Sequence, residues 1–312
     1  MEEQIMNDKK IYVIGVDNGN GSVKTASSNW FSGVKKVKSS LCENVLEYRG
    51  TLYELGERPS EYVSQKYLRE DLRIQTLAAI ATELEARNVC DECPKIHLAL
   101  GLPIEHWTKQ KELIKEYFSK NVEEKFKYKG KLYHISIRGC NVIPQGLAST
   151  RKYRPKECGN IISLDIGFGT LDYLVFHNGV LSMDESGSLE YGVSKCYEKV
   201  RKAVGREFSE EIDFFSFDNY IRGKKGLVTK EWHSTIDSAI KEYCKEVISE
   251  AKRVGYNPAT YVIHLLGGGS NIMKTYAELE ENDATFDLDI RSNAKCFEAF
   301  CKQVLRKQGV EF

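Results

Sequence analysis

No run of about eighteen apolar residues occurs in this 312-residue chain, which excludes an ordinary membrane-crossing helix. Net charge is missing too. The 45 Lys and Arg residues are matched by 45 Asp and Glu, leaving no summed positive field to attract nucleic-acid phosphates, so any link to DNA should be indirect. Met1–Lys10 is charged and lacks the apolar core of a signal peptide, which predicts a cytoplasmic protein. Nine cysteines are present without the dense, even framework of a small secreted domain, and they read as reduced thiols. The run Gly-x-x-x-x-Gly-Lys-Ser/Thr is absent, so a Walker-type phosphate loop is excluded. What remains is a chain with 41% hydrophobic residues, enough for one large core or two medium ones, and two lobes are the expectation.

Apolar periodicity predicts a mixed α/β order. Ile11–Val16 reads as a buried strand ending at Asp17, with Ser22–Ala26 extended after a glycine turn. Val45–Tyr48 and Leu52–Leu55 flank Arg49-Gly50 as a hairpin, and Leu72, Leu77, Ile80 and Leu84 recur at helical spacing. Ile96–Leu102 is a further strand, Pro103 opens a helix through Leu113 and Tyr117, and Lys129-Gly130 joins two more strands. Arg151–Gly159 is polar, with the proline and glycine of a connector. Beyond it the opening pattern repeats: Ile161–Leu164 is a strand ending at Asp165. Leu189–Val204 reads as a helix. Trp232, Ile236, Ile240, Tyr243, Val247 and Ala251 form a stripe on a longer helix that stops at Gly255. Tyr261–Leu266 is the last strand, and a helix around Ala294–Leu305 closes the chain.

The repeat carries the chemistry. Asp17-Asn18-Gly19-Asn20-Gly21 and Asp165-Ile166-Gly167-Phe168-Gly169 share the pattern Asp-x-Gly-x-Gly between two extended segments. A glycine-rich β-turn leaves backbone N–H groups around an open concavity, and the missing side chains let phosphate oxygens approach. Two such turns can clamp one polyphosphate, which makes Asn18, Gly19, Asn20, Gly21 and Ser22 candidates in the first copy and Gly167, Phe168, Gly169 and Thr170 in the second. Asp17 and Asp165 can hold Mg²⁺, through water because that ion gives up its hydration shell reluctantly. Lys24 follows the first turn by three residues, where its ammonium could reach a β- or γ-phosphate; a solvated strand lysine is the bland alternative.

A third element, Leu265-Leu266-Gly267-Gly268-Gly269-Ser270, places glycines after a buried strand, where a flat nucleoside can pack on bare backbone. A dinucleotide-binding fold is disfavoured, because Gly19-x-Gly21 lacks a third glycine at Lys24 and leads into a strand. Cys90-x-x-Cys93 followed by His97 offers too few ligands for a closed zinc site and reads as a loop pair.

These three elements resemble the phosphate-1, phosphate-2 and adenosine motifs of the actin, sugar kinase and chaperone ATPase superfamily, over nearly the whole chain. Within it, Gly101-Leu102-Pro103, Val142-Ile143-Pro144-Gln145-Gly146, Leu164–Asp172 and Asn293-Ala294 look like the ParM/StbA plasmid-segregation actins. The resemblance implies an α/β, actin-like two-lobed fold with duplicated ribonuclease-H-like domains around a nucleotide cleft. Residues 1–148 would form the first lobe, with the helix of 292–312 packing back on it, and 149–291 the second. Pro144–Thr150 would be the first connection between them. It also implies ATP and Mg²⁺ as cofactors. Gln145 would orient the water that attacks the γ-phosphate; relatives carry glutamate there, and glutamine is a poor base, so positioning and slow hydrolysis are expected. Asp172 matches the Leu-Asp of the second phosphate turn. Gly192 would open a helix facing the ribose and base, with Lys195, Glu198 and Lys199 as possible polar contacts.

The function implied is a filament-forming ATPase: ATP favours head-to-tail self-assembly, hydrolysis loosens it, and plasmid DNA is moved through a small DNA-binding, ParR-like adaptor. The alternative is a small-molecule kinase acting on a sugar or acid, for which no substrate-domain motif is visible. A chaperone would need a peptide-binding domain after the closing helix, and none is seen. A membrane-tethered actin would need an amphipathic anchor; Met1–Lys10 lacks one and Cys301–Phe312 has only a modest apolar face.

Overall fold

The computed structural model describes residues 10–60, 70–119, 123–152, 159–279, 284–310 and 312. Most of the anchor and leader segment discussed above, and most of the connector after Arg151, lie outside them. The chain divides into two compact units, Met1–Ser149 with Arg291–Phe312, and Thr150–Ile290.

In the first unit, β1 (Ile11–Asn18), β2 (Ser22–Lys24) and β3 (Asn29–Phe31) form an antiparallel meander, and β1 also pairs in parallel with β7 (Lys95–Leu102). β7 continues in parallel to β9 (Lys131–Pro144). Antiparallel strands β8 (Glu123–Tyr128), β5 (Val45–Tyr48), β6 (Thr51–Leu55) and β4 (Val34–Val37) extend the sheet to nine, in the order β3-β2-β1-β7-β9-β8-β5-β6-β4. Arg49-Gly50 and Lys129-Gly130 both have positive φ at each residue, as two-residue turns matching the twist of their strands require.

Strand alternation sends the two sides of β1 to different partners. Ile14 and Val16 join a core with the helices α1 (Glu70–Ala86) and α2 (Ile104–Ser119). Val13, with Ala99 and Ile143, packs instead against Phe297, Cys301 and Leu305 of the closing helix. Each such side chain buried stabilises by roughly 1.5–3 kcal/mol. A strand covered on both faces must be apolar throughout, which is why Ile11–Val16 reads as an unbroken run. The closing helix lies flush on the sheet because Gly15 and Gly101 have no side chains: a Cβ at Gly15 would fall 2.0 Å from the Ala294 carbonyl, and one at Gly101 2.3 Å from the Phe297 ring.

In the second unit the same scheme recurs. β10 (Asn160–Ile166), β11 (Leu171–His177) and β12 (Val180–Leu189) form an antiparallel meander, and β13 (Tyr261–Leu266) and β14 (Ala284–Phe286) add in parallel, giving the order β12-β11-β10-β13-β14. This is the order and direction of β3-β2-β1-β7-β9, so one half-sheet plan occurs in both units, the duplication that the resemblance implies.

After α3 (Leu147–Lys152), which spans the division, the helices are α4 (Val193–Phe208), α5 (Phe214–Ile221), α6 (His233–Arg253), α7 (Ser270–Tyr276) and α8 (Ser292–Lys307). The predicted helix over Leu189–Val204 is corrected at its start: Leu189 ends β12, paired with Leu171, and the helix begins only after Gly192. The stripe of α6 holds, except that Trp232 sits in a 3₁₀ turn just before it. Among the described residues no helix is long and apolar enough to cross a membrane.

Candidate functional site

The first Asp-x-Gly-x-Gly turn is built on the β1–β2 ladder. Asp17 and Lys24 are direct cross-strand partners, and Lys24 Nζ lies 3.0 Å from Asp17 Oδ2. The other carboxylate oxygen, Oδ1, accepts a hydrogen bond from Gln145 Nε2 at 2.8 Å. Asp17 is 2% exposed, so a carboxylate, an ammonium and an amide converge almost out of water at the strand end. In that setting charge–dipole interactions are stronger than at the surface.

The rest of the turn is braced from behind by residues the motif does not contain. Asn18 Nδ2 donates to Gln75 Oε1 at 3.3 Å, and Gln75 Nε2 donates to the Ser32 carbonyl at 2.6 Å. The Asn20 carbonyl accepts from Ser60 N at 2.9 Å and from the Ser32 hydroxyl, and the Gly21 carbonyl accepts from Ser32 N at 3.2 Å. With these carbonyls held, the turn has a fixed back. Gln75 and Ser32 escaped the sequence reading because they partner the turn only in space.

The second turn occupies the same place on β10–β11. Asp165 and Asp172 are direct cross-strand partners, both nearly buried, and Ser188 Oγ donates to Asp172 Oδ1. Where the first copy pairs a carboxylate with an ammonium, the second has acids at both of the corresponding register positions. The carbonyls of Gly167, Phe168 and Gly169 accept hydrogen bonds from Val193 N, Ser194 N and Gly192 N at 2.9, 2.8 and 3.3 Å. The turn thereby caps α4. Gly192 is structural in this contact, since a Cβ there would fall 2.4 Å from the Phe168 carbonyl. The Phe168 ring meets the Phe214 ring edge-on at 5.4 Å. Thr170 closes the turn by accepting Gly167 N at 2.9 Å.

The glycine loop packs against the same strand end. Gly267, at φ +80°, sits where a Cβ would lie 2.3 Å from Asp165 Oδ1, and Gly269 donates its N–H to the Ile166 carbonyl. Ser270 Oγ donates to the Gly267 and Asp287 carbonyls at 2.8 and 2.9 Å. Of the triplet, only Gly268 faces open space. The structure thus brings Asp165, the second turn, Asp172, Gly192 and the glycine loop together in one unit, and Asp17, the first turn, Lys24 and Gln145 together in the other.

Lys195, Glu198 and Lys199 line a groove of about 820 Å³ between α4 and α6, with Tyr191, Glu242 and Glu246. That volume suits a small ligand. Lys199 Nζ lies 2.8 Å from Glu246 and 3.2 Å from Glu242, and although burial opposes it, this pairing raises the Lys199 pKa. The Cys90, Cys93 and His97 side chains do not converge: Cys90 Sγ bonds to the Asn88 carbonyl and His97 Nε2 to Asn141 Oδ1. No disulfide links the cysteines among the described residues.

Residues 15–147 match the family model of the actin-like protein N-terminal domain, and residues 163–280 that of the archaeal actin homologue MreB-like C-terminal domain. The chain thus carries an actin-like N-terminal domain and an MreB-like, actin-homologue C-terminal domain. Its solved neighbours include ParM and Alp proteins. A ParM from a 15-stranded filament of Clostridium botulinum superposes with TM-score 0.75 at 20% identity, over 94% of this chain and 99% of that one. The actin-like protein Alp7A gives 0.76 at 15% identity, over 95% and 98%. The archaeal actin homologue Ta0583, solved with ADP, gives 0.71 at 15% identity, over 93% and 99%. A search of curated proteins by sequence finds no match.

Proposed function

We propose that the chain binds ATP with Mg²⁺ through its two Asp-x-Gly-x-Gly turns and its glycine loop, hydrolyses it slowly, and polymerises into filaments under control of the bound nucleotide. The observation that carries this reading is the convergence of Asp17, Lys24 and Gln145 at the end of β1, repeated as Asp165 and Asp172 at the end of β10. ADP in the Ta0583 structure and the filament of the Clostridium botulinum ParM support it at the level of fold.

The donor chemistry fits Mg²⁺. Asp17 and Asp165 offer hard carboxylate oxygens at strand ends, the donor type this ion takes. When bound, the ion would draw charge from the phosphates. Lys24 supplies a point charge for a phosphate oxygen. Gln145 holds and orients a water without serving as a strong base, so catalysis rests on positioning and electrostatic stabilisation. Gly268 offers bare backbone beside the second turn.

Head-to-tail contacts between closed protomers then give a filament whose length follows the nucleotide state. Segregation of plasmid DNA through a small DNA-binding adaptor fits the equal counts of acidic and basic residues, which provide no direct attraction to DNA.

The test is phosphate release and light scattering with MgATP over a range of protein concentrations. Scattering that rises above a threshold concentration, with turnover rising in step, supports the reading. Turnover that is independent of protein concentration but stimulated by a sugar or acid, with a phosphorylated product, would make the chain a small-molecule kinase.

A further inference from the structure

The residue that holds Gln145 in place comes from the far end of the chain. Asn293, in the first turn of α8, is 5% exposed, and its Oδ1 accepts the backbone N–H of Gly146 at 3.1 Å. Gly146 has φ +76°, and the turn it makes with Gln145 is pinned on its other side by Gln145 N donating to the Leu102 carbonyl at 2.8 Å. The Gln145 side chain then passes Gly101, where a Cβ would lie 3.3 Å from Gln145 Cγ, and reaches Asp17 Oδ1 at 2.8 Å.

Asn293 is itself well placed to act as a fixed point. Two residues before it, Arg291 donates to the Ser27 carbonyl at 2.9 Å. Further along the helix Glu298 pairs with Arg87 and accepts Gly15 N at 3.4 Å, two residues before Asp17. The same helix therefore grips both sides of the Gln145–Asp17 contact: the Gly146 amide through Asn293 and the β1 backbone through Glu298.

We propose that Asn293 is a positioning residue for Gln145, setting the turn from which the glutamine reaches the reacting centre. This rests on the reading of Gln145 as the group that orients the attacking water. A neutral amide contributes by orientation alone, and misplacement by about 1 Å can cost on the order of 100-fold in rate. Loss of the Asn293 acceptor should thus lower kcat while leaving ATP affinity nearly intact.

The experiment compares wild type, Asn293→Ala, Asn293→Asp, Gln145→Ala and the double variant Asn293→Ala/Gln145→Ala. It measures kcat and ATP Kd separately, with amide hydrogen exchange at Gly146 as a readout independent of turnover. Asn293→Ala should lose about 10- to 100-fold in kcat with Kd changed by less than about threefold, and Asn293→Asp, which keeps an acceptor oxygen, should retain more. On the Gln145→Ala background the same change should cost nothing further, because both act on one step. Gly146 exchange should quicken in Asn293→Ala. Losses that multiply in the double variant, or a fall in ATP affinity with kcat preserved, overturn the proposal. A wild type without turnover would strike the ATPase reading; Gly146 exchange then decides this inference alone, and exchange unchanged by Asn293→Ala rejects it.

Discussion

Lys24 stands directly across the β1–β2 ladder from Asp17, its Nζ 3.0 Å from Oδ2, in a position that the second turn gives to Asp172 opposite Asp165. The two turns share a backbone plan and differ in charge at one register position. The first sets an ammonium against its acid, and the second sets an acid at the same position.

Removing Lys24 should therefore be felt in stability before any ligand is added. Asp17 is almost wholly buried, and deleting one member of a buried pair costs about 3–5 kcal/mol. Lys24 retains 12% exposure, so Lys24→Met should cost about 1–3 kcal/mol, and Asp17→Asn in the same chain should recover part of it. Thermal melting of the two single variants and the double variant checks this; an additive loss would mean that the ion pair does not couple.

Asp165→Ala should abolish Mg²⁺-dependent ATP turnover while the ligand-free protein keeps its fold, since the residue sits at the end of β10 and outside the hydrophobic core of its unit. Turnover measured against Mg²⁺ concentration, with circular dichroism of the same sample, is the check. Unchanged turnover removes Asp165 from the site.

The glycines divide into those the backbone needs and one that faces outward. Gly192→Ala places a Cβ 2.4 Å from the Phe168 carbonyl, a backbone atom that cannot step aside, so the variant should melt well below wild type. Gly268→Ala meets nothing within 4 Å and should melt as wild type does while weakening nucleotide binding. Differential scanning fluorimetry with and without ATP separates the two.

Acid should destabilise the second unit through His264. Burial pushes its pKa down from 6.5 to about 4, partly opposed by the nearby Asp287 carboxylate. The folded state thus resists a proton that the unfolded chain accepts. Stability is full above about pH 6.5 and falls as pH drops toward 4, by up to about 3 kcal/mol from this group. In the first unit, burial lowers the His97 pKa as well, so acid weakens that unit in the same direction. Unfolding midpoints between pH 7 and 4.5 should fall less steeply for His264→Gln than for wild type.

How much of this was legible depends on distance along the chain. The turns from Asp17 to Gly21 and from Asp165 to Gly169 announce themselves because strand, acid and glycines follow one another. The partnership of Asn18 with Gln75 spans 57 residues, and that of Gly146 with Asn293 spans 147; no local pattern encodes either. β12 was hidden for another reason. Its residues, Val180–Leu189, are half exposed with a polar middle, Asp184–Ser188, and what makes them a strand is the ladder offered by β11, so in sequence Leu189 reads as part of the helix that begins after Gly192. Gly192 enters the sequence analysis only through the resemblance, as the opening of a helix facing the ribose and base; the packing shows that it lies against the second turn.

The most direct test is negative-stain electron microscopy of the protein with Mg²⁺ and a non-hydrolysable ATP analogue. Long, regular filaments that are absent without nucleotide are the predicted result. Monomers under every nucleotide and salt condition, confirmed by sedimentation, would contradict the account.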